Sequence, residues 1–275
     1  MCSYGFSRKY LLSEGNICLL LTRSVLDVLS ETSLSSATER LTLNHGISAL
    51  QKLSLHPKAA KTMIENGIVG ASARVIQLFC TNQMSMHVNV LRRANALLLN
   101  LVYFSEGVME ARKETLGDLD GEVGSPEGGN SAGSNGSPYN TDVLRALSCM
   151  IGSEYSSFGD DLGRRNATGA MFCLLKDRLL WQHAKNSPLL NQLKNVLQRH
   201  TLITSARDFC KEVNTIISML EKPNAPSVAT VPSLSIDECI DGDNFEDEQS
   251  DSVSIPLLCR RGNILAIYRR TNTEL

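Results

Sequence analysis

The order of helix lengths constrains the fold of this chain most, because that order occurs twice. From residue 57 to residue 104 the sequence predicts a short helix (PKAAKTMIENG), a medium helix (IVGASARVIQLF) and a long helix (SMHVNVLRRANALLLNLVYF). The same order returns in EGVMEARKETLG, DVLRALSCMIG and GRRNATGAMFCLLKDRLL. One such unit cannot bury its apolar face alone, so we expect neighbouring units to stack.

Helix-breaking and capping residues mark the ends of these elements. Pro57 cannot continue the helix before it, but it suits the first turn of the next one. Gly67 ends that short helix, because glycine adopts the left-handed conformation at low cost. Ser105 is predicted to cap the second short helix, and Asp160 with Asp161 the second long one.

The long helices also align with one another. Ala49, Ala96 and Ala170 occupy matching places, and the first interval of 47 residues lies in the period of armadillo and HEAT repeats. The next interval is 74 residues, because residues 118–140 interrupt the unit with a segment rich in Gly, Ser, Asn and acids. Such a segment is predicted to be disordered. The fold class is therefore all-α, an armadillo/HEAT-like right-handed α-solenoid with a disordered insertion and a C-terminal tail.

Three regions follow from this pattern. Residues 1–34 hold an N-terminal helix, residues 35–222 hold the armadillo-like repeats with the loop 118–140, and residues 223–275 form a disordered acidic tail. Within that tail, residues 237–251 contain eight acids and no Lys or Arg. The acidic run is not predicted to bind calcium, because DGDNFEDE lacks the glycine that an EF-hand loop needs at its sixth position.

Composition excludes several classes of function. Apolar residues at 42% and aromatic residues at 5% favour stacked helices over a β-sandwich. The net charge of -2 shows no basic surplus, so no nucleic-acid partner is predicted. The eight cysteines form no C-x-x-C pair, which predicts small core residues and no metal site. The apolar run at residues 17–21 is too short to span a membrane. With no phosphate loop or nucleophile–base motif, we predict neither enzymatic activity nor a cofactor.

Four blocks carry a resemblance to a known family. ALQKLSLHP, TMIENGIV, ANALLLNLV and TGAMFCLLKD, in this order and spacing, resemble the armadillo region of the LisH domain-containing armadillo repeat protein 9 family over about residues 37–200. The resemblance implies a scaffold role at the ciliary basal body and axoneme, in cilium assembly, stability and signalling, with ciliary or basal-body proteins as partners. This chain begins close to the repeats, without the LisH and heptad regions of that family, as a fragment, truncated gene model or shortened relative would.

Armadillo arrays bind extended peptides along their long third helices, which predicts a groove lined by Asn89, Arg93 and Asn100. The amide of Asn100 can pair with a peptide backbone, and helical spacing adds the other two residues to its face. Nuclear-import adaptors place tryptophan where Ala96 stands, which argues against an importin-like groove. Two alternatives stay open. In the first, Asn100 satisfies a backbone group between repeats. In the second, the chain is a general cytosolic adaptor that binds an extended peptide or a partner helix in its groove.

The arginine pairs Arg92-Arg93 and Arg164-Arg165 fit either a basic strip for an acidic partner or, more commonly, a solvated face.

Further predictions concern three single residues and the C-terminal end. Trp181 is predicted to pack in the core. His183 and His200 have no partner nearby in the sequence and are predicted to lie on the surface. The last three residues, Thr273 to Leu275, match the terminal form that PDZ domains bind.

Overall fold

The computed structural model describes residues 17–30, 36–80, 88–117, 141–152, 161–200 and 207–225. Within these residues the regular elements are α-helices and no strand is present, so the all-α prediction is confirmed. The eleven helices of this described part are α1 Ile17–Ser30, α2 Ala37–Leu53, α3 Pro57–Glu65, α4 Ile68–Cys80, α5 Val88–Val102, α6 Ser105–Leu116, α7 Val143–Gly152, α8 Asp161–Leu174, α9 Arg178–Asn186, α10 Leu189–His200 and α11 Arg207–Glu221.

The predicted loop 118–140 and the acidic run 237–251 lie outside the described residues, as do Asp160 and Thr273 to Leu275.

Local sequence sets the ends of α2 and α3. Ser36 and Glu39 form a capping box at the start of α2: Ser36 Oγ accepts from Glu39 N at 3.0 Å, and Glu39 Oε2 accepts from Ser36 N at 3.2 Å. Pro57 is the first residue of α3, as predicted. Gly67 follows α3 with a φ of 79°, a conformation that glycine adopts without the strain of a Cβ atom.

The predicted cap of α6 is wrong by one residue. Phe104 holds the N-cap position with extended backbone angles, and Ser105 is the first helical residue. Phe104 is 4% exposed, so burial of its ring fixes where the helix begins. At α9 a cap that the sequence analysis did not identify is present: Asp177 Oδ1 accepts from Leu179 N at 2.9 Å and Leu180 N at 3.0 Å.

The helices pack in three series, each formed by every third helix and named after the predicted lengths, although α6 of the short row has 12 residues and α7 of the medium row has 10. In the long-helix row, α2, α5, α8 and α11 each contact the next. In the medium-helix row, α1, α4, α7 and α10 do the same, and in the short-helix row α3 contacts α6, which contacts α9. Each long helix also packs on the medium helix of its own unit. The set α9, α10 and α11 is a further short, medium and long unit beyond the two identified in the sequence.

One continuous apolar cluster joins the rows. Apolar side chains of the long helices are fully buried in it, including Leu50, Leu98, Ala170 and Met171. Complete burial of a leucine-sized side chain contributes roughly 1.5–3 kcal/mol, so the contacts between units supply most of the stability of each helix.

Trp181 and the described cysteines belong to this interior. Trp181 is 4% exposed, so its predicted core position is confirmed. Cys18 and Cys173 are buried, and Cys80, Cys149 and Cys210 are half-buried. Burial raises the pKa of Cys173 to about 11 and, with a contribution from Cys149, that of Cys80 to about 12. These two thiols stay protonated near neutral pH, which suits packing and not nucleophilic chemistry.

Candidate functional site

The three predicted groove residues lie along one edge of α5. Asn89 is exposed and Arg93 is half-buried, whereas Asn100 is 8% exposed. Ala96, between Arg93 and Asn100 on this edge, is also 8% exposed, while Leu98 on the other side of the helix is 0% exposed. The predicted face is therefore accessible to solvent at Asn89 and Arg93 but buried at Ala96 and Asn100.

Asn100 connects α5 to the end of α2. Its Nδ2 donates to Ser54 Oγ at 2.8 Å and to Gln51 O at 3.4 Å. Ser54 Oγ in turn donates to Gln51 O at 2.8 Å. This arrangement matches the alternative in which Asn100 satisfies polar groups between neighbouring units, because its amide hydrogens are directed into the protein.

Polar side chains also connect neighbouring long helices nearer their N-terminal ends. Arg93 Nη1 of α5 donates to Asn44 Oδ1 of α2 at 3.2 Å. Arg165 of α8 donates to one oxygen of Glu212 on α11, from Nε at 3.0 Å and from Nη2 at 2.7 Å. Arg92 beside Arg93 is half-buried. We define the long-helix strip as six solvent-accessible polar side chains on α2, α5 and α8: Asn44, Lys52, Asn89, Arg92, Arg93 and Arg165.

Arg164 is not part of any solvated face, and the predictions for Arg164 and His200 are wrong. Arg164 is 3% exposed, its guanidinium carbon lies 5.5 Å from the Phe209 ring centroid, and its Nη1 is 3.0 Å from Nε2 of His200. Since a guanidinium only donates, Nε2 of this half-buried imidazole accepts and its proton lies on Nδ1. Helix α11 covers these side chains, a contact that local sequence cannot indicate.

His183 is more exposed than His200, but it also has a polar neighbour. Its Nε2 lies 3.7 Å from Asp142 Oδ2. Asp142 is 41 residues away in sequence, so this neighbour agrees with the lack of a partner nearby in sequence, and the partly accessible position of His183 agrees with a surface residue.

A buried carboxylate holds the chain on both sides of the 118–140 interruption. Glu114 is 2% exposed and its Oε2 accepts from Thr141 N at 3.4 Å. Thr115 Oγ1 accepts from Val143 N at 3.2 Å. Gly70 of α4 leaves the space for this carboxylate, because a Cβ there would lie 2.5 Å from Glu114 Cδ. The sequence analysis missed this cluster, for which a glycine inside an apolar helix was the available signal.

Burial raises the pKa of the Glu212 carboxyl, although the hydrogen bonds and charge of Arg165 lower it. The folded chain therefore retains a proton at pH values where the unfolded chain has released it. Stability consequently decreases as pH rises from about 4.3, the ordinary value for glutamate, through the raised pKa of Glu212. The Glu212→Gln variant should remove this decrease and be at least as stable as the wild type at pH 7.

Arg165→Gln should have the opposite effect at pH 7, because it leaves a largely buried carboxylate without its cation. We expect a loss of about 2 kcal/mol in the free energy of unfolding. Urea unfolding at several pH values measures both variants, and the double variant Arg165→Gln/Glu212→Gln is the control. The electrostatic account is wrong if the double variant is no more stable than Arg165→Gln alone.

The described residues contain neither a metal-binding cluster nor a membrane-spanning helix. In the described ranges, no group of three or more His, Cys, Asp or Glu side chains could hold a metal ion. None of the described helices combines the length and hydropathy that crossing a bilayer requires. Comparison with family models, curated proteins and solved structures finds no match for this chain. The described part of the chain therefore defines its class by structure alone: it is all-helical, and every third helix packs in one of three rows.

Proposed function

We propose that this chain is a non-enzymatic protein-binding scaffold, built as an armadillo/HEAT-like right-handed α-solenoid, whose partner binds along the long-helix strip. The order of contacts supports the solenoid, since each helix of a row packs on the corresponding helix of the next unit. Stacked units of this kind present an extended surface on which a partner segment can lie.

Charge is the observation that carries the choice of partner. Helix α5 contains Arg92 and Arg93 and no carboxylate, and Lys52 adds positive charge on α2 beside it, whereas Glu212 balances the charge of Arg165 on α8. The described residues together contain 21 Lys and Arg against 12 Asp and Glu, a net charge of +9. A basic surface attracts a partner of opposite charge and disfavours others. Since stacked helical units also present an extended surface for a protein segment, the proposed partner is an acidic segment of another protein.

A defined probe tests this binding. A labelled peptide of eight Glu-Ser repeats should bind the full chain at low salt and dissociate as salt is raised. Arg92→Glu/Arg93→Glu should weaken this binding by about tenfold or more, because it replaces attraction by repulsion at the centre of the strip. Fluorescence anisotropy measures the Kd.

The matched control is Lys58→Glu/Lys61→Glu on α3, in the short-helix row, which changes the net charge by the same amount. It should alter the Kd by less than about threefold, the difference expected from screened charge at a distance. Equal losses in the two variants would contradict a binding surface on the long helices. Thermal unfolding checks that both fold, and Arg92→Gln/Arg93→Gln replaces the reversal variant if it does not.

The cellular setting of the proposal rests on the family resemblance. We propose that the scaffold acts at the ciliary basal body and axoneme, with a general cytosolic adaptor as the alternative. A tagged chain should concentrate at basal bodies or along the cilium of a ciliated cell. A uniformly diffuse signal would contradict the ciliary setting and leave the adaptor.

A further inference from the structure

Charge in this chain is divided between two parts. The described helices have a net charge of +9, whereas the remaining residues contain 6 Lys and Arg against 17 Asp and Glu, a net charge of -11. Residues 237–251 alone contribute eight of those acids and no cation. A net charge of -2 for the whole chain conceals this division.

We propose that residues 237–251 bind the long-helix strip of the same molecule and compete there with the acidic partner. This inference rests on the proposed function and adds its regulation: the chain carries its own competitor. The two parts are complementary in charge, because the strip centres on an α-helix with two arginines and no carboxylate.

The acidic segment is close enough in sequence to reach the strip. Eleven residues separate Ala225, the last described residue, from Asp237, and an extended chain between these two residues spans about 40 Å. Helix α11 belongs to the long-helix row, and α8 lies between it and α5. Packed helices lie about 10 Å apart, so α5 is roughly 20 Å away. The acidic segment itself can extend about 45 Å, enough to cross all four long helices.

Tethering makes even a weak contact effective. A segment on a short linker acts at an effective concentration in the millimolar range. If the separate segment binds the strip with a Kd below that concentration, the tethered segment keeps the strip occupied. Because the contact is formed by exposed charges, salt weakens it within a Debye length of about 8 Å at physiological ionic strength.

The test compares two full-length chains. In one, the eight acids of residues 237–251 are replaced by Asn and Gln; the other is the wild type. A labelled synthetic peptide of residues 235–252 should bind the neutralised chain at least about tenfold more tightly than the wild type, because its competitor is gone. Replacing Asp118, Asp120, Glu122 and Glu127 by their amides is the control, which should leave the Kd of the wild type unchanged.

Each further outcome separates the two proposals. Adding Arg92→Glu/Arg93→Glu to the neutralised chain should abolish the gain. Equal Kd values for wild-type and neutralised chains, with strip-dependent binding of the Glu-Ser probe intact, would overturn the intramolecular contact alone. Loss of strip dependence for both peptides would overturn the proposed function as well. A single-stranded oligonucleotide that binds the neutralised chain more tightly than either peptide, through the same arginines, would assign the strip to nucleic acid and overturn both.

Discussion

Trp181→Ala should lower the free energy of unfolding by about 4 kcal/mol, the largest effect of a single substitution that we expect in this chain. Trp181 is 4% exposed on α9, and its Nε1 donates to Met219 O in the last turn of α11 at 3.0 Å. The carbonyls of a last helical turn have no partner within their own helix, so this bond satisfies one of them. Alanine would leave a cavity and an unpaired carbonyl where the short and long rows meet.

Lys185 adds to the same contact. Its Nζ lies 4.5 Å from the centroid of the Trp181 ring and donates to Lys222 O at 2.7 Å, just beyond the end of α11. A cation near the C-terminal end of a helix is favoured by the helix dipole. The indole therefore positions both a hydrogen-bond donor and a cation against the end of α11.

Trp181→Phe is the matched control, because it keeps most of the apolar volume and removes the N–H donor. It should cost about 1–2 kcal/mol, the range for losing a buried hydrogen bond and part of a ring. Urea unfolding followed by far-UV circular dichroism measures both variants without relying on tryptophan fluorescence. Equal losses for the two substitutions would show that the cavity is unimportant and would contradict this account.

Helix positions could be predicted from the sequence because they depend on local signals. Apolar spacing identifies the buried face, and residues such as Pro57 and Gly67 mark ends whose chemistry is independent of distant contacts. The error at Ser105 has a tertiary cause, since burial of Phe104 sets the start of α6. A preferred capping residue indicates a helix start only when no neighbouring side chain is held more strongly by the core.

The candidate site was predictable to a smaller extent. Helical spacing placed Asn89, Arg93 and Asn100 on one edge of α5; Asn89 and Arg93 are accessible to solvent there, whereas Asn100 is buried. The hydrogen bonds that Asn100 and Arg93 form within the protein depend on Ser54 and Asn44, which lie more than 45 residues away in sequence. Periodicity gives the direction of a side chain, but the partner it meets comes from the packing of another unit.

Whole-chain charge was the least informative quantity. A net charge of -2 led to the exclusion of nucleic-acid partners, yet the described helices have a net charge of +9. An electrostatic surface is determined by the residues that share it, so a segregated chain must be judged part by part. Charge alone does not separate an acidic protein segment from a nucleic acid, which is why the oligonucleotide comparison belongs in the binding experiment.

Gly107→Ala should lower the free energy of unfolding by about 3 kcal/mol through overpacking at the α5–α6 turn. A Cβ on Gly107 would lie 2.6 Å from the carbonyl carbon of Leu101 and 3.2 Å from the Cα of Val102, and would overlap Leu101 O. These are backbone atoms, and Leu101 O also accepts from Phe104 N at 3.2 Å in the turn. Because Leu101 and Val102 are 0% exposed, α6 itself must shift to relieve the contact.

Gly152→Ala is the control for the intrinsic preference of helices for alanine over glycine. The nearest atom to its added Cβ is Val196 Cγ2 at 3.7 Å, an ordinary van der Waals distance. That variant should change stability by no more than about 1 kcal/mol, and in the favourable direction. Urea unfolding of both proteins gives the comparison, and a Gly107→Ala chain as stable as the Gly152→Ala chain would show that α6 is not held against α5 as described. The same intrinsic gain applies to Gly107, so the steric cost there exceeds the measured loss by about that amount.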